Sequence, residues 1–303
     1  MKIVMTGATG FVGSPLVRKL HSEGHEISIL TRNKQKAASK FSDLKERLSF
    51  IEWDAPYSDL PDGVFKDANA LINLMGENIG GKRWSDTQKK KLRDSRVVSG
   101  EKLAKAVKRD LPEGLDVLVS TSAIGYYPVN LDSKLDENHP SANTFLSRLC
   151  QDWEQTAHTI EAKRTVILRV GVVLGKGGGA LAKLLPIFKL GLGGPVLPGT
   201  QVMSWIHQHD LVNLYAESVA NNDYQGTLNA VAPNLVTNAE FSKALGTALS
   251  RPAIFPVPGF GLKLAMGEMS TIVLDSQKIV STKLGNLGFK FTYPEILKGL
   301  QNL

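Results

Sequence analysis

Three glycines punctuate the run Thr6-Gly7-Ala8-Thr9-Gly10-Phe11-Val12-Gly13, which follows directly on the apolar stretch 2–6 and precedes a helical pattern. At a strand-to-helix junction each glycine has a separate task. One permits the tight turn, one lets main-chain N–H groups approach a ligand, and one lets helix and strand pack closely. The helix start then offers unpaired N–H donors and a partial positive charge, which suit the pyrophosphate of a dinucleotide. Gly7, Thr9, Gly10, Phe11, Val12 and Gly13 are the candidate residues for that contact. The choice of dinucleotide depends on the end of the next apolar run. An Asp or Glu about 20 residues beyond the glycines accepts hydrogen bonds from the ribose hydroxyls of NAD. Here the position reads Thr31-Arg32, with Arg32 nineteen residues past Gly13. A guanidinium pairs with a 2′-phosphate through its planar fork, where an acid would repel it. The spacing predicts NADP over NAD.

These residues need a scaffold that brings strand ends together. Short runs rich in Val, Ile and Leu at 2–6, 26–31, 48–53, 70–74, 117–121 and 166–170 predict strands buried on both faces. Helices are expected from about residue 11, over 85–109 and over 144–162, then over 209–222, 238–249 and after Pro294. That alternation is the pattern of an α/β fold, a doubly wound parallel Rossmann-type sheet with a smaller C-terminal substrate lobe. The expected division is 1–175 with 203–232 for the dinucleotide domain, and 176–202 with 233–303 for the lobe. Segment 203–230 should return to complete the sheet. Glycines at 175, 177–179, 191, 193, 194 and 199 mark a segment suited to covering a ligand.

More specific words narrow the comparison. Asn73-Leu74-Met75-Gly76 and Ser120-Thr121-Ser122-Ala123, with the glycine turn, resemble the extended short-chain dehydrogenase/reductases. Gly76-Glu77-Asn78-Ile79, Arg83-Trp84, Ser95-Arg96, Asp152-Trp153-Glu154, 168–175 and Ser204-Trp205-Ile206-His207 resemble the atypical "epimerase family" proteins. These are labelled NAD-dependent epimerases/dehydratases, and some are called cell-division inhibitors. The tail from about residue 247 resembles that group's small C-terminal domain. The resemblance implies further cofactor contacts at Asp54, Leu74, Met75, Gly76, Arg96 and Arg169, with salt-bridge roles left open for the two arginines. It implies an oxidoreductase or epimerase acting on a small molecule, with a non-catalytic NADP(H)-binding module as the alternative.

The superfamily's proton chemistry uses a Ser or Thr, a Tyr, and a Lys four residues after the Tyr. Ser122 matches the hydroxyl, but the expected Tyr and Lys positions read Phe145 and Leu149, neither of which can move a proton. Tyr126 is the substitute donor of first choice. Tyr127, on the same loop expected to overhang the nicotinamide, Lys176, on another cofactor-side loop after the sixth strand, and His207, in a segment expected to return towards the sheet, are further candidates.

Composition excludes other classes. No HExxH, paired-cysteine, GxSxG or Walker motif is present, so a metal site has no support. The single cysteine, Cys150, allows no intrachain disulfide and suits a reducing compartment, so a cytoplasmic protein is expected. No apolar run reaches the roughly 18 residues of a membrane span, and no membrane partner is expected. The net charge is +7, but its densest run, Lys89-Lys90-Lys91 with Arg93 and Arg96, spreads around a helix and lacks interleaved aromatics. It reads as a solvated face, so no nucleic-acid partner is expected. A homodimer is left open.

Overall fold

Strands and helices alternate through the first two thirds of the chain because short β-branched runs are separated by amphipathic stretches. The computed structural model describes residues 1–44 and 46–302. In chain order the elements are β1 (Lys2–Thr6), α1 (Gly13–Ser22), β2 (Glu26–Thr31), α2 (Lys34–Lys40), β3 (Leu48–Glu52) and β4 (Ala70–Asn73). Next come α3 (Asp86–Asp94), α4 (Val97–Asp110), β5 (Leu115–Ala123), α5 (Phe145–Ala157), β6 (Ala162–Val170) and β7 (Val172–Leu174). Then follow α6 (Leu181–Lys189), β8 (Val202–Met203), β9 (Trp205–His207), α7 (Gln208–Ala220), β10 (Gly226–Ala230) and β11 (Val236–Thr237). The tail holds α8 (Asn238–Ala248), α9 (Gly259–Met266), α10 (Thr271–Leu274), α11 (Thr282–Asn286) and α12 (Ile296–Gln301).

Seven strands form one parallel sheet in the order β10-β6-β5-β4-β1-β2-β3. The order runs outward from β1 in both directions, so β1 and β4 flank the point where the winding reverses. Such a point opens a crevice at the carboxyl ends of the strands. One face buries Leu16, Val17 and Leu20 of α1 with Leu211, Leu214 and Tyr215 of α7. The other buries Leu103 and Val107 of α4 with Trp53 and Phe65. A third cluster, with Leu181, Phe188, Trp205, Phe241 and Leu245, joins α6, β9 and α8. Its α8 starts with a capping box, Thr237 against Glu240, which satisfies orphan donors at the helix start.

Two expectations change. The helix expected over 85–109 is two helices, α3 and α4, interrupted at Ser95-Arg96. The Arg96 guanidinium turns back to donate to Leu92 O at 2.9 Å, a carbonyl left open in the last turn of α3. Within 203–230, only β10 joins the central sheet. β8 pairs with β11 and β9 pairs with β7, each in a separate two-stranded sheet. The division occurs at Gly171, where a Cβ would come within 2.8 Å of Ser204 O. That close approach hands the chain from β6 to the β7–β9 pair.

Candidate cofactor and active site

The glycine turn closes tightly on itself and on the neighbouring strand. Gly10 N donates to Gly7 O at 3.0 Å. Gly7 has φ +65°, and a Cβ there would lie 2.8 Å from Leu74 O. A Cβ on Gly13 would lie 2.2 Å from Gly7 O, so only glycine allows α1 to begin this close to β1. Val12 at the N-cap contributes no side-chain cap, Ser14 N donates to Gly10 O at 3.0 Å and Pro15 has no N–H, so the main-chain N–H groups of Phe11, Val12 and Gly13 are the ones left for an anion among the described residues. Thr9 stands exposed on the turn, and its carbonyl accepts from Lys40 Nζ of α2 at 2.8 Å. The Phe11 ring packs under the later glycines: a Cβ on Gly178 would fall 2.3 Å from its Cδ2. Segment 177–179 therefore rests on the phosphate turn, the place a ligand-covering segment must occupy.

Around this turn the structure gathers most of the sequence-predicted positions. Thr6 Oγ1 donates to Asn73 Oδ1 at 2.7 Å and accepts from Leu74 N at 3.1 Å, locking β1 to the end of β4. Leu74 packs directly on Gly7, and Met75 N donates to Asn73 Oδ1 at 3.3 Å. Thr31 and Arg32 end β2, and Arg32 is exposed with no carboxylate partner among the described residues. Asp54 lies exposed just past β3, whose end is tied to β2 by Trp53 N donating to Thr31 O at 2.9 Å. Gly76 faces Arg96, where a Cβ would approach the guanidinium carbon to 2.9 Å.

Arg96 is half-buried and has no salt-bridge partner among the described residues. Its fork donates to Leu92 O and, at 3.1 Å, to Glu77 O, and it stacks over the Trp153 ring at 4.7 Å. Burial without a carboxylate in hydrogen-bond contact lowers its pKa to about 10. Three more cations of the basic run are paired on the surface, Lys89 to Glu268, Lys90 to Asp94 and Arg93 to Asp152.

On the β5–β6 side a buried polar network replaces the expected arrangement. Arg169 is 5% exposed, and its Nε and Nη2 donate to the two oxygens of Glu154, each at 2.8 Å. Its Nη1 donates to Tyr127 Oη at 2.8 Å, and Tyr127 donates on to Asn229 Oδ1 at 2.7 Å. Ser122 donates to Glu154 Oε1 at 2.6 Å, so its proton points down into the network. Burial works to lower the pKa of Arg169, but the hydrogen bond and charge of Glu154 outweigh it and raise the pKa. Burial pushes Tyr127 up to about 12, against the pull of the cation. Both groups are fixed in one protonation state.

Arg169 was expected as a cofactor contact. Its fork is committed to Glu154 and Tyr127, so the salt-bridge role describes its geometry. Tyr126 is different. Its ring lies on the Arg169 guanidinium at 3.4 Å, and it meets Tyr127 edge-on at 5.2 Å. It is partly exposed, and no side-chain partner is present for its hydroxyl among the described residues.

The other candidates are not brought together with it. Phe145 is half-buried, packed on Trp84 at 5.4 Å with Lys89 Nζ 5.0 Å over its ring, and Leu149 is buried in the core. Cys150 is buried, with its thiol pushed up to about 12 by burial and by Glu154, which suits a core hydrophobe rather than a nucleophile. His207 stacks on Tyr293 at 4.1 Å, and its Nδ1 accepts from His209 N at 3.1 Å. With Lys176 it lines a groove beside α1, along with Arg18 and Lys19.

Sequence reasoning missed Glu154 and Asn229. The signal for Glu154 was available: Arg169 stands between Leu168 and Val170 in an apolar strand, and a charge buried there requires a partner.

The sheet order, the reversal beside β1 and the glycine turn together define a Rossmann-type dinucleotide fold. Residues 3–230 match the NAD dependent epimerase/dehydratase family, and residues 257–303 match a domain of unknown function, DUF1731. The chain belongs to the NAD dependent epimerase/dehydratase family. It is 39% identical over 303 residues to the epimerase family protein SDR39U1 homolog, chloroplastic, of Arabidopsis thaliana, covering 99% of this chain and 86% of that one. It is 36% identical to the Mus musculus epimerase family protein SDR39U1, covering 100% and 99% of the two chains. A crystal structure of human SDR39U1 isoform 2 with NADPH superposes with a TM-score of 0.87 at 33% identity, over 99% of this chain and 98% of the other.

Proposed function

We propose that the chain binds NADP(H) and acts as an oxidoreductase or epimerase on a small molecule. The observation that carries the cofactor choice is Arg32, an exposed guanidinium with no carboxylate partner among the described residues, at the carboxyl end of β2 where NAD sites place an acid. The NADPH held by the human relative supports the same choice. The Gly7–Gly13 turn would hold the pyrophosphate, Leu74 and Met75 would flank the adenosine, and Arg32 would pair with the 2′-phosphate. The bound nicotinamide would supply or accept the hydride.

What this chain can contribute is a proton and a fixed geometry. Ser122 already donates to Glu154, so towards a substrate it offers lone pairs. Tyr126 is a partly exposed hydroxyl at the β5 end with no partner among the described residues, whereas the unpartnered Ser120 hydroxyl on β5 is fully buried, and Arg169 lies beneath the Tyr126 ring to hold it in place. We assign the proton to Tyr126. A panel of carbonyl and nucleotide-sugar substrates assayed by NADPH oxidation tests this, with Tyr126→Phe alongside. Loss of turnover in the variant with unchanged NADPH binding is expected. Full turnover in Tyr126→Phe would remove the assignment.

A second reading is an NADP(H)-binding module without turnover. Phe145 and Leu149 at the expected Tyr and Lys positions, and the committed proton of Ser122, favour it. Binding without oxidation across the whole panel would select it. A reducing compartment remains the expected location, and among the described residues no helix is long and apolar enough to cross a membrane.

A further inference from the structure

Almost all of the chain's net charge sits in its smaller lobe. Segments 176–209 and 241–267 carry Lys176, Lys183, Lys189, Lys243, Arg251 and Lys263 and not one Asp or Glu. Six of the 36 Lys and Arg fall there with none of the 29 acids, so the rest of the chain is nearly neutral, 30 against 29.

The fold places parts of these two segments side by side. Phe255 N donates to Gly193 O at 3.1 Å, Val257 N to Pro195 O at 2.8 Å and Leu197 N to Val257 O at 3.0 Å. Arg251 Nε donates to Lys189 O at 3.0 Å. The paired segments and the helix after them expose large apolar side chains: Leu190 at 74%, Leu192 at 55%, Ile254 at 71%, Phe255 at 50%, Phe260 at 77% and Leu264 at 80%. Single exposed hydrophobes need no explanation, but a group of this size does. In α9, Phe260 and Leu264 stand one turn apart on one face with Lys263 beside them, and no residue of that helix is buried. Next to Ile254 opens a recess of about 540 Å³ lined by Lys243, Thr247, Ser250 and Arg251 among others. Two cations and two hydroxyls at the foot of an apolar rim match the chemistry of a phosphate joined to hydrocarbon.

We propose that this lobe is a docking face for an anionic phospholipid bilayer. The apolar rim enters the headgroup–acyl boundary, and Lys189, Lys243, Arg251 and Lys263 meet lipid phosphates. Charge complementarity selects this occupant. A second copy packed face to face through a two-fold axis would set two predominantly cationic surfaces against each other, since the exposed acids nearest the patch, Glu240 and Glu268, only flank it. The sequence-level expectation of no membrane partner rested on span length, which is blind to a surface assembled from distant segments.

Sedimentation of the full chain with vesicles tests the proposal. The chain should bind vesicles of phosphatidylcholine mixed with phosphatidylglycerol, bind more weakly as salt is raised, and leave pure phosphatidylcholine vesicles unbound. Leu190→Ser/Ile254→Ser/Phe260→Ser and, separately, Lys189→Glu/Lys263→Glu should each weaken binding by about tenfold or more. All five residues are exposed, so unchanged melting temperatures would show that folding is intact. Lys108→Glu on α4, outside the lobe, should bind as the parent does. No binding by the parent chain, or full binding by both patch variants, would overturn the proposal. So would patch variants that turn a dimer into a monomer in equilibrium sedimentation without affecting vesicle binding, because the face would then belong to a second copy.

Discussion

The two sides of the sheet's carboxyl edge are built from different parts of the chain. Beside β1 and β2 the site is main chain: a turn of three glycines, the N–H groups of Phe11, Val12 and Gly13 without acceptors among the described residues, and one exposed guanidinium at position 32. Beside β5 and β6 it is side chain: Ser122, Glu154, Arg169, Tyr127 and Asn229 form a closed, buried network with Tyr126 lying on top. The first region is suited to a ligand because several of its main-chain donors, those of residues 11–13, have no acceptor among the described residues. The second has spent its donors on itself, and its role is to hold Tyr126 and the ends of both strands. A polar residue is therefore best read as a reacting group only after its existing partners have been counted.

The largest effect should come from breaking the buried pair. Arg169→Met leaves the Glu154 carboxylate buried without its cation, which costs about 3–5 kcal/mol. Denaturant unfolding should show that loss, and adding Glu154→Gln should restore part of it by removing the stranded charge. An unchanged unfolding midpoint in the single variant would mean that the network is not what holds β5 to β6.

The next effect belongs to the main-chain region. In Gly13→Ala the new Cβ would meet Gly7 O at 2.2 Å, so the turn must shift. Over-packing of this kind costs about 1–3 kcal/mol. NADPH affinity, followed by its fluorescence, should fall by far more than in any variant of the β5–β6 side. Equal losses from Gly13→Ala and Tyr126→Phe would erase the contrast between the regions.

The smallest effect is a pH dependence. Burial lowers the pKa of His207, opposed by Asp210 and reinforced by His209. As pH falls below about 6.5 the unfolded chain takes up a proton that the folded His207 resists, so stability declines. His207→Asn keeps a cap for His209 N without titrating, and its melting temperature should fall less over the same acid range. A parallel fall in both proteins would place the titration elsewhere.

The legibility of the chain follows the same division. β1 and β2 are found to the residue, because each is a short, mostly apolar run between polar breaks, with only Ser28 intervening in β2. β5 and β6 extend further than their apolar centres, over Leu115–Ala123 and Ala162–Val170. Asp116, Ser120, Ser122, Arg164 and Arg169 interrupt the pattern, and most of them are tied to groups that lie far away in sequence. The glycine turn could be read because its physics is local. Glu154 could not be placed from its helix alone, since a carboxylate on α5 looks solvated until the strand facing it supplies Arg169. The apolar, cationic lobe was hidden for the same reason: 190–197 and 251–257 become one surface only when their main chains pair.

Calorimetric titration of NADP+ and NAD+ into the parent chain and Arg32→Ala tests the electrostatic selection of the cofactor most directly. The parent should bind NADP+ more tightly than NAD+. The variant should lose about 1.5–3 kcal/mol of NADP+ affinity, roughly ten- to 150-fold, while NAD+ binding stays unchanged. Equal NADP+ affinity in the two proteins would contradict the role of Arg32, and the absence of binding by either dinucleotide at sub-millimolar concentration would contradict the cofactor site itself.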